Sequence, residues 1–286
     1  MDPMKISESE FTFMKQFIEQ SCGISLVDQK AYLIESRLTH LLVETGSSSY
    51  LDLYNKAKAD TTNTLRNKIV DAMTTNETLW FRDQAPFDFL KAELARQFHN
   101  EFIGKKRSRL RIWSAACSTG QEPYSIAIIL REFARLNPTF PLELVEITAT
   151  DISPTALFLA RAGRYDQIAI SRGLPDDLRN RYFTQDGKTW KINDDIKSMV
   201  KLQKLNLQDS FASLGTFDMI FCRNVAIYFS DSFKTDLFSR LAKALTPEGY
   251  FFVGASESLS FYSNLFKMHT HNRLVYYRVK NAGVQL

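Results

Sequence analysis

Apolar residues in the first 75 positions recur at helical spacing. Phe11, Met14, Phe17, Ile18 and Cys22 trace one face, opened by Ser7 with Glu10 and stopped by Gly23. Serine followed three residues on by glutamate makes a reciprocal cap, and glycine accepts the left-handed turn that ends a helix. Asp28 stands where it can cap a second helix carrying Ala31, Ile34, Leu38, Leu41 and Leu42 up to Gly46. Ser49 with Asp52 opens a third, and Leu65, Ile69, Ala72 and Met73 mark a fourth. From about residue 109 the period changes. Leu110–Ala115 and residues 144–150 read as strands, each followed by a helix, Gln121–Leu136 and Pro154–Ala162. Phe217–Cys222 is a short apolar run, residues 231–245 are amphipathic and helical, and residues 249–254 and Leu274–Val279 are further strands. Strands separated by helices predict a doubly wound parallel sheet, with an antiparallel edge from the last pair. One stretch breaks the rhythm. Residues 182–184 and Thr189–Ile192 flank an Asp186-Gly187 turn, and alternating residues 200–205 are expected as the third strand of a small β insertion.

The 286 residues therefore divide into a helical domain, 1–75, and an α/β domain, 76–286, with a β subdomain near 182–205. Apolar residues at 44% suffice for a sizeable core, and 22 Phe exclude disorder. Charge is mild: 36 basic against 32 acidic residues overall, 8 against 10 in the first 75 positions, and a pI near 8.8. That balance is below what a dedicated nucleic-acid binder needs, so no such partner is expected. Five basic residues within Lys105-Lys106-Arg107-Ser108-Arg109-Leu110-Arg111 read as a solvated turn ahead of a strand. No apolar run approaches the roughly 18–20 residues of a membrane span, and Met1-Asp2-Pro3-Met4-Lys5 lacks a signal-peptide core. Cys22, Cys117 and Cys222 lie far apart and form no C-x-x-C pair. A cytoplasmic, monomeric protein without disulfides or membrane insertion is the expectation. His269 and His271 have no Cys, Asp or Glu cluster beside them, so they read as a strand edge and no metal is expected.

In open α/β sheets ligands bind at the carboxyl ends of strands. The loop after the first strand, Ser114-Ala115-Ala116-Cys117-Ser118-Thr119-Gly120-Gln121-Glu122, holds one glycine. It fails both G-x-G-x-x-G and the P-loop pattern. Asp151 ends the second strand, where a carboxylate can accept both hydroxyls of a ribose; the alternative is a cap on the following helix. A glycine-poor loop with an acid suits S-adenosylmethionine better than NAD, because there is no pyrophosphate to cradle.

Three longer motifs carry a resemblance. Thr74-Thr75-Asn76-Glu77-Thr78-Leu79-Trp80-Phe81-Arg82-Asp83 resembles the T-T-N-x-T-x-F-F-R-[DE] signature of CheR-type chemotaxis receptor methyltransferases. Trp113-Ser114-Ala115-Ala116-Cys117-Ser118-Thr119-Gly120-Gln121-Glu122-Pro123-Tyr124-Ser125 is similar to their W-S-A-x-x-S-T-G-x-E-P-Y-S. Phe217-Asp218-Met219-Ile220-Phe221-Cys222-Arg223-Asn224-Val225-Ala226-Ile227-Tyr228-Phe229 resembles F-D-x-I-F-C-R-N-V-x-I-Y-F. The match keeps order and spacing from about residue 7 to 278.

The resemblance implies an α/β fold: a Rossmann-like class I methyltransferase sheet with a small all-α N-terminal domain and a three-stranded antiparallel β insertion. It implies a protein-glutamate O-methyltransferase using S-adenosylmethionine, without metal, that esterifies glutamates on the helical cytoplasmic domains of chemoreceptors. Asn76, Thr78 and Arg82 match positions near the methionyl end of the cofactor. Glu122 and Asp151 match those holding its amino-acid and ribose portions, and Asn206, Leu207, Arg223 and Asn224 match adenine- and substrate-side positions. Arg82 and Tyr228 are the catalytic candidates, Tyr228 matching a tyrosine beside the reacting methyl. Two departures stand out. The second helix, strongly basic in many members, here offers only Lys30, Arg37 and His40 as cations. Members that tether to a receptor's C-terminal pentapeptide carry a longer, glycine-containing loop in the insertion, whereas this chain has the tight Gln185–Lys188 turn. Pentapeptide-independent methylation is the expectation.

Overall fold

The structure is a computed structural model describing residues 4–280, so the first three residues weighed for a targeting signal lie outside it, as does the side chain of Asp28. Four helices form the N-terminal unit: α1 (Glu8–Cys22), α2 (Ala31–Thr45), α3 (Tyr50–Ala59) and α4 (Thr64–Met73). The Ser7–Glu10 capping box is formed at α1, and Gly23 ends it at φ 78°. Ser49 caps α3 by accepting from the Asp52 N–H at 3.1 Å. The predicted apolar faces of all four helices meet in one core around Met14, Ile18, Ile34, Leu38, Leu53 and Ile69.

A helical stretch not anticipated follows: α5 (Ala85–Phe89), a π-helical turn over Leu90–Leu94, and α6 (Ala95–Ile103). Then come β1 (Leu110–Ala115), α7 (Gln121–Leu136), β2 (Val145–Asp151), α8 (Pro154–Ala162) and β3 (Arg164–Asp166). Short helices α9 (Gln167–Ser171) and α10 (Asp176–Tyr182) lead to β4 (Phe183–Asp186) and β5 (Thr189–Ile192). After them lie α11 (Asp194–Lys197), β6 (Val200–Lys204), β7 (Phe217–Cys222), α12 (Asp231–Ala244), β8 (Leu245–Phe252), β9 (Phe266–His271) and β10 (Leu274–Val279). The main sheet runs β6-β2-β1-β7-β8-β10-β9. Its first five strands are parallel and the last two antiparallel, as expected of the doubly wound sheet with an antiparallel edge. β9 completes that edge and carries His269 and His271, on a strand edge as expected, stacked on Tyr276 and tilted on Phe89.

The β insertion has three antiparallel strands, but not the three expected. Its order is β3-β5-β4, and residues 200–204 instead pair in parallel with β2 as the edge of the main sheet. The subdomain therefore spans β3 to β5 rather than residues 182–205. Alternation in Val200-Lys201-Leu202-Gln203-Lys204 marks a strand with one covered face but does not say which sheet covers it. The hairpin turn is Gly187–Lys188, closed by the Asp186–Thr189 pair, one residue beyond the predicted Asp186-Gly187. Among the described residues, no helix is long and apolar enough to cross a membrane.

Candidate functional site

Between β1 and β7 the strand order reverses direction, and a cleft opens there at the carboxyl ends. β1 hands over to α7 through residues Ala116, Ser118 and Gly120, at φ 61°, 51° and 96°. This turn curls over the end of β2, where the Cys117 N–H donates to the Thr150 carbonyl at 2.9 Å and the Ser118 N–H to Asp151 Oδ2 at 2.8 Å. Asp151 Oδ1 accepts from the Ser153 N–H at 2.9 Å, leaving the carboxylate only 6% exposed. The cap of α8 is Ser153, whose Oγ accepts from the Ala156 N–H at 2.9 Å. Asp151 thus joins both loops, each oxygen accepting from a backbone N–H, and lines the cleft. Burial pushes its carboxyl above the ordinary aspartate range; the backbone N–H groups oppose this and Asp71 adds to it.

Opposite, Arg223 at the end of β7 has a side chain 1% exposed. Its guanidinium donates to Glu122 Oε2 at 2.8 Å, Asp83 Oδ2 at 2.9 Å and the Arg82 carbonyl at 2.5 Å, and lies over the Phe87 ring. Glu122 Oε1 meanwhile accepts from Ser114 Oγ at 2.7 Å. Arg223 and Glu122 are therefore committed first to each other. They lock the loop after β1 to the turn carrying Arg82, and removing Arg223 leaves the mostly buried Glu122 without its cation, costing about 3–5 kcal/mol. Backbone strain gathers in the same place. Phe81, Asp83, Ala116, Ser118 and Asn224 all have positive φ, and a bulky phenylalanine there persists only when its surroundings hold it.

Ser118 Oγ donates to the Asn76 carbonyl at 2.8 Å, drawing the 76–82 segment over the loop after β1, and Arg82 Nη1 donates to the Glu77 carbonyl at 3.1 Å. The helical domain supplies another wall through Cys22 and Ile24. Ile24 bridges Phe229, and the Ser25 N–H donates to the Tyr228 carbonyl at 2.8 Å. All ten sequence-predicted residues, Asn76, Thr78, Arg82, Glu122, Asp151, Asn206, Leu207, Arg223, Asn224 and Tyr228, line this one cleft. Asn206 does so with its amide occupied: Nδ2 donates to the Ser21 carbonyl at 2.9 Å, and Oδ1 accepts from the Gln208 N–H at 3.1 Å. Sequence reasoning missed the wall residues Cys22, Ile24, Ile152 and Val225. It also missed Glu257, whose carboxylate accepts from the Asn224 N–H at 2.6 Å, the Gly254 N–H at 2.7 Å and the Ile227 N–H at 3.3 Å. An acid three residues past a glycine at a strand's carboxyl end was its one available signal.

Other candidates resolve as structure. Arg37 donates to the Met73 and Thr74 carbonyls and to Thr75 Oγ1, so it braces the motif segment instead of standing free on α2. Arg107 pairs with Glu101 and Asp218, and Arg111 with Glu146, leaving Lys105, Lys106 and the largely exposed Arg109 as the solvated part of the basic run. The three cysteines are buried and free, and burial raises their thiols, Cys22 to about 11. No group of three or more His, Cys, Asp and Glu among the described residues could hold a metal.

The cleft is open to solvent at its mouth and is walled by both the helical and the α/β domain. A buried acid after β2, a first loop with no phosphate cradle and apolar walls at Ile152, Leu205 and Leu207 fit an adenosyl sulfonium. Fold and cleft together define a class I S-adenosylmethionine-dependent methyltransferase. The chain belongs to the CheR methyltransferase family: residues 9–74 match its all-alpha domain and residues 76–275 its SAM binding domain. It is 45% identical over 258 residues to chemotaxis protein methyltransferase Cher2 of Pseudomonas putida, covering 90% of this chain and 93% of that one. It is 43% identical to chemotaxis protein methyltransferase 1 of Pseudomonas aeruginosa, covering 97% and 100%. The chemotaxis protein methyltransferase of Vibrio parahaemolyticus is 42% identical, covering 98% and 100%.

Proposed function

We propose that this protein transfers the methyl group of S-adenosylmethionine to glutamate side chains on the cytoplasmic helices of bacterial chemoreceptors, forming γ-glutamyl methyl esters for adaptation. The observation that carries this reading is that the described residues lining the cleft include no histidine or lysine to serve as a general base. Of its carboxylates, Glu122 is engaged by Arg223 and Ser114, Glu77 pairs with Arg172 at 2.8 Å, and Asp151, held by two backbone N–H groups, is assigned here to the ribose. Such a site suits a nucleophile that arrives ionised, and a glutamate with a pKa near 4.3 does so at neutral pH. What the protein adds is orientation, worth roughly 7–11 kcal/mol for a well-aligned pair.

In this reading the cofactor supplies an electrophilic methyl group. Asp151 accepts the ribose hydroxyls, Leu207 and the backbone at Asn206 flank the adenine, and Asn76 and Thr78 bound the methionyl end. Glu122, Arg223 and Asn224 hold the loops that frame it. Arg82 at the mouth orients the incoming carboxylate, and Tyr228 presents an aromatic face to the sulfonium. Receptors without a C-terminal pentapeptide tether are the substrates. Tritium-labelled methyl from the cofactor should enter receptor membranes saturably and leave as methanol in base, while Arg82→Ala slows transfer more than it weakens cofactor binding. Base-stable label, or label in RNA, would refute the glutamate assignment.

A further inference from the structure

The β insertion meets the rest of the protein at a place that matters for the reaction. Trp80, two residues before Arg82, has a fully buried side chain. Its ring stands edge-on to Tyr165 of β3 at 4.9 Å and to Phe183 of β4 at 5.1 Å. The indole Nε1 donates to the Ala169 carbonyl at 3.1 Å, and the Trp80 N–H donates to the Arg172 carbonyl at 3.0 Å. Gly173 completes the socket at φ +90°; a Cβ there would lie far inside contact distance of the Trp80 carbonyl. The insertion also reaches the cofactor loop, where the Tyr165 hydroxyl donates to the Thr119 carbonyl at 3.0 Å.

We infer that the insertion is a positioning device for methyl transfer: its inner face grips Trp80 and so sets where Arg82 stands. The inference rests on the proposed function for its kinetic readout and on geometry alone for the coupling. Phe81, between Trp80 and Arg82, sits at φ 50°, so the segment is over-determined and cannot relax by a small rotation. A rigid anchor two residues from the guanidinium limits its wander, and a misplacement of about 1 Å can cost a hundredfold in rate. The aromatic edges and the indole hydrogen bond are directional, which makes this contact more than generic packing.

Phe183→Leu and Gly173→Ala test this from the insertion side without touching the cleft. Both should speed hydrogen exchange at residues 76–84 while the main sheet stays protected. Turnover per S-adenosylhomocysteine-binding site should fall about tenfold at saturating receptor and cofactor, with the receptor KM little changed. A merely destabilised protein would lose binding sites, not turnover per site. Exchange gains confined to residues 163–192, or undiminished turnover, would overturn the inference. If Gly173→Ala fails to fold, Phe183→Leu makes the same comparison. Should the wild-type protein methylate no receptor, the proposed function fails, while the exchange experiment still decides the coupling.

Discussion

Asp151 does two jobs with one carboxylate. It ties Ser118 and Ser153 in place and, in the proposed function, accepts from the ribose of the cofactor. Asn in its place can accept from only one of the two N–H groups, turning an NH2 toward the other. Asp151→Asn should therefore weaken S-adenosylhomocysteine binding tenfold or more by calorimetry, since each hydrogen bond to a charged group is worth about 1.5–3 kcal/mol. Its raised pKa fixes the sign of the pH effect. The native state without ligand holds that proton more tightly than the unfolded chain, so this group's contribution to stability declines as pH rises through the raised value. A ribose diol donates best to the ionised form. Cofactor affinity should fall on acidification, beginning above the roughly 3.9 of an ordinary aspartate, and Asp151→Asn should erase that limb. Affinity independent of pH in the wild-type protein would remove Asp151 from the ribose. This residue was legible because a strand end is a place the chain itself marks. Arg223 was legible only as a motif position: its partners Glu122 and Asp83 lie 101 and 140 residues away, and no local pattern encodes an ion pair across that distance.

Elements with a strong unbroken period were read correctly, and so were the hairpin strands beside the Asp-Gly turn, but β3 and the α5–α6 stretch were not. Leu110–Ala115 and Gln121–Leu136 match to the residue, because long buried runs and a fully covered helix face leave little choice. The three-residue β3 is too brief to show alternation, so its place in the insertion was given to residues 200–205, of which 200–204 pair with β2. The stretch from α5 through α6 escaped because its π-helical turn shifts the apolar stripe out of register. The hairpin itself was legible, and it supports a prediction. β4 is a free edge of the insertion, with Thr184, Gln185 and Asp186 exposed. Asp186 is held by Arg164 at 2.5 Å, and the Gly187–Lys188 turn closes directly behind it. Trp190 is stiffened from behind by Arg179 at 4.8 Å and by Gln167 at 3.1 Å. A strand adding by β-augmentation needs an edge that can yield and pockets for alternate side chains. Titration with a pentapeptide of the Asn-Trp-Glu-Thr-Phe type should accordingly give no saturable isotherm at tens of micromolar. Micromolar binding, lost on disrupting Thr189–Ile192, would show that loop length does not govern tethering.

At the scale of the whole molecule the cleft belongs to neither domain alone. Two domains could be read from the change of period near residue 109, but not that they share a site. The reason is separation along the chain: Asn206 bonds the Ser21 carbonyl 185 residues away, and Asp71 of α4 accepts from Ser153 and from Thr155 at the start of α8. Gly23 is where this joint is tightest. It ends α1 at φ +78°, and a Cβ there would collide with the Phe233 ring of α12. Next to it, Ile24 and Ser25 pair with Phe229 and Tyr228, so a shift at Gly23 moves a wall of the cleft and the tyrosine together. Gly23→Ala should therefore raise the dissociation constant for S-adenosylhomocysteine about tenfold, beyond the roughly 1 kcal/mol or more of stability lost to the strained backbone. Phe233→Leu in the same chain removes ring atoms from the collision and should recover most of the affinity but none of the backbone cost. That asymmetry is what a double-mutant cycle can read: coupling in binding, additivity in the backbone part of stability. If Gly23→Ala binds as tightly as the wild-type protein, the helical domain is a passive neighbour of the cofactor and its role must lie elsewhere.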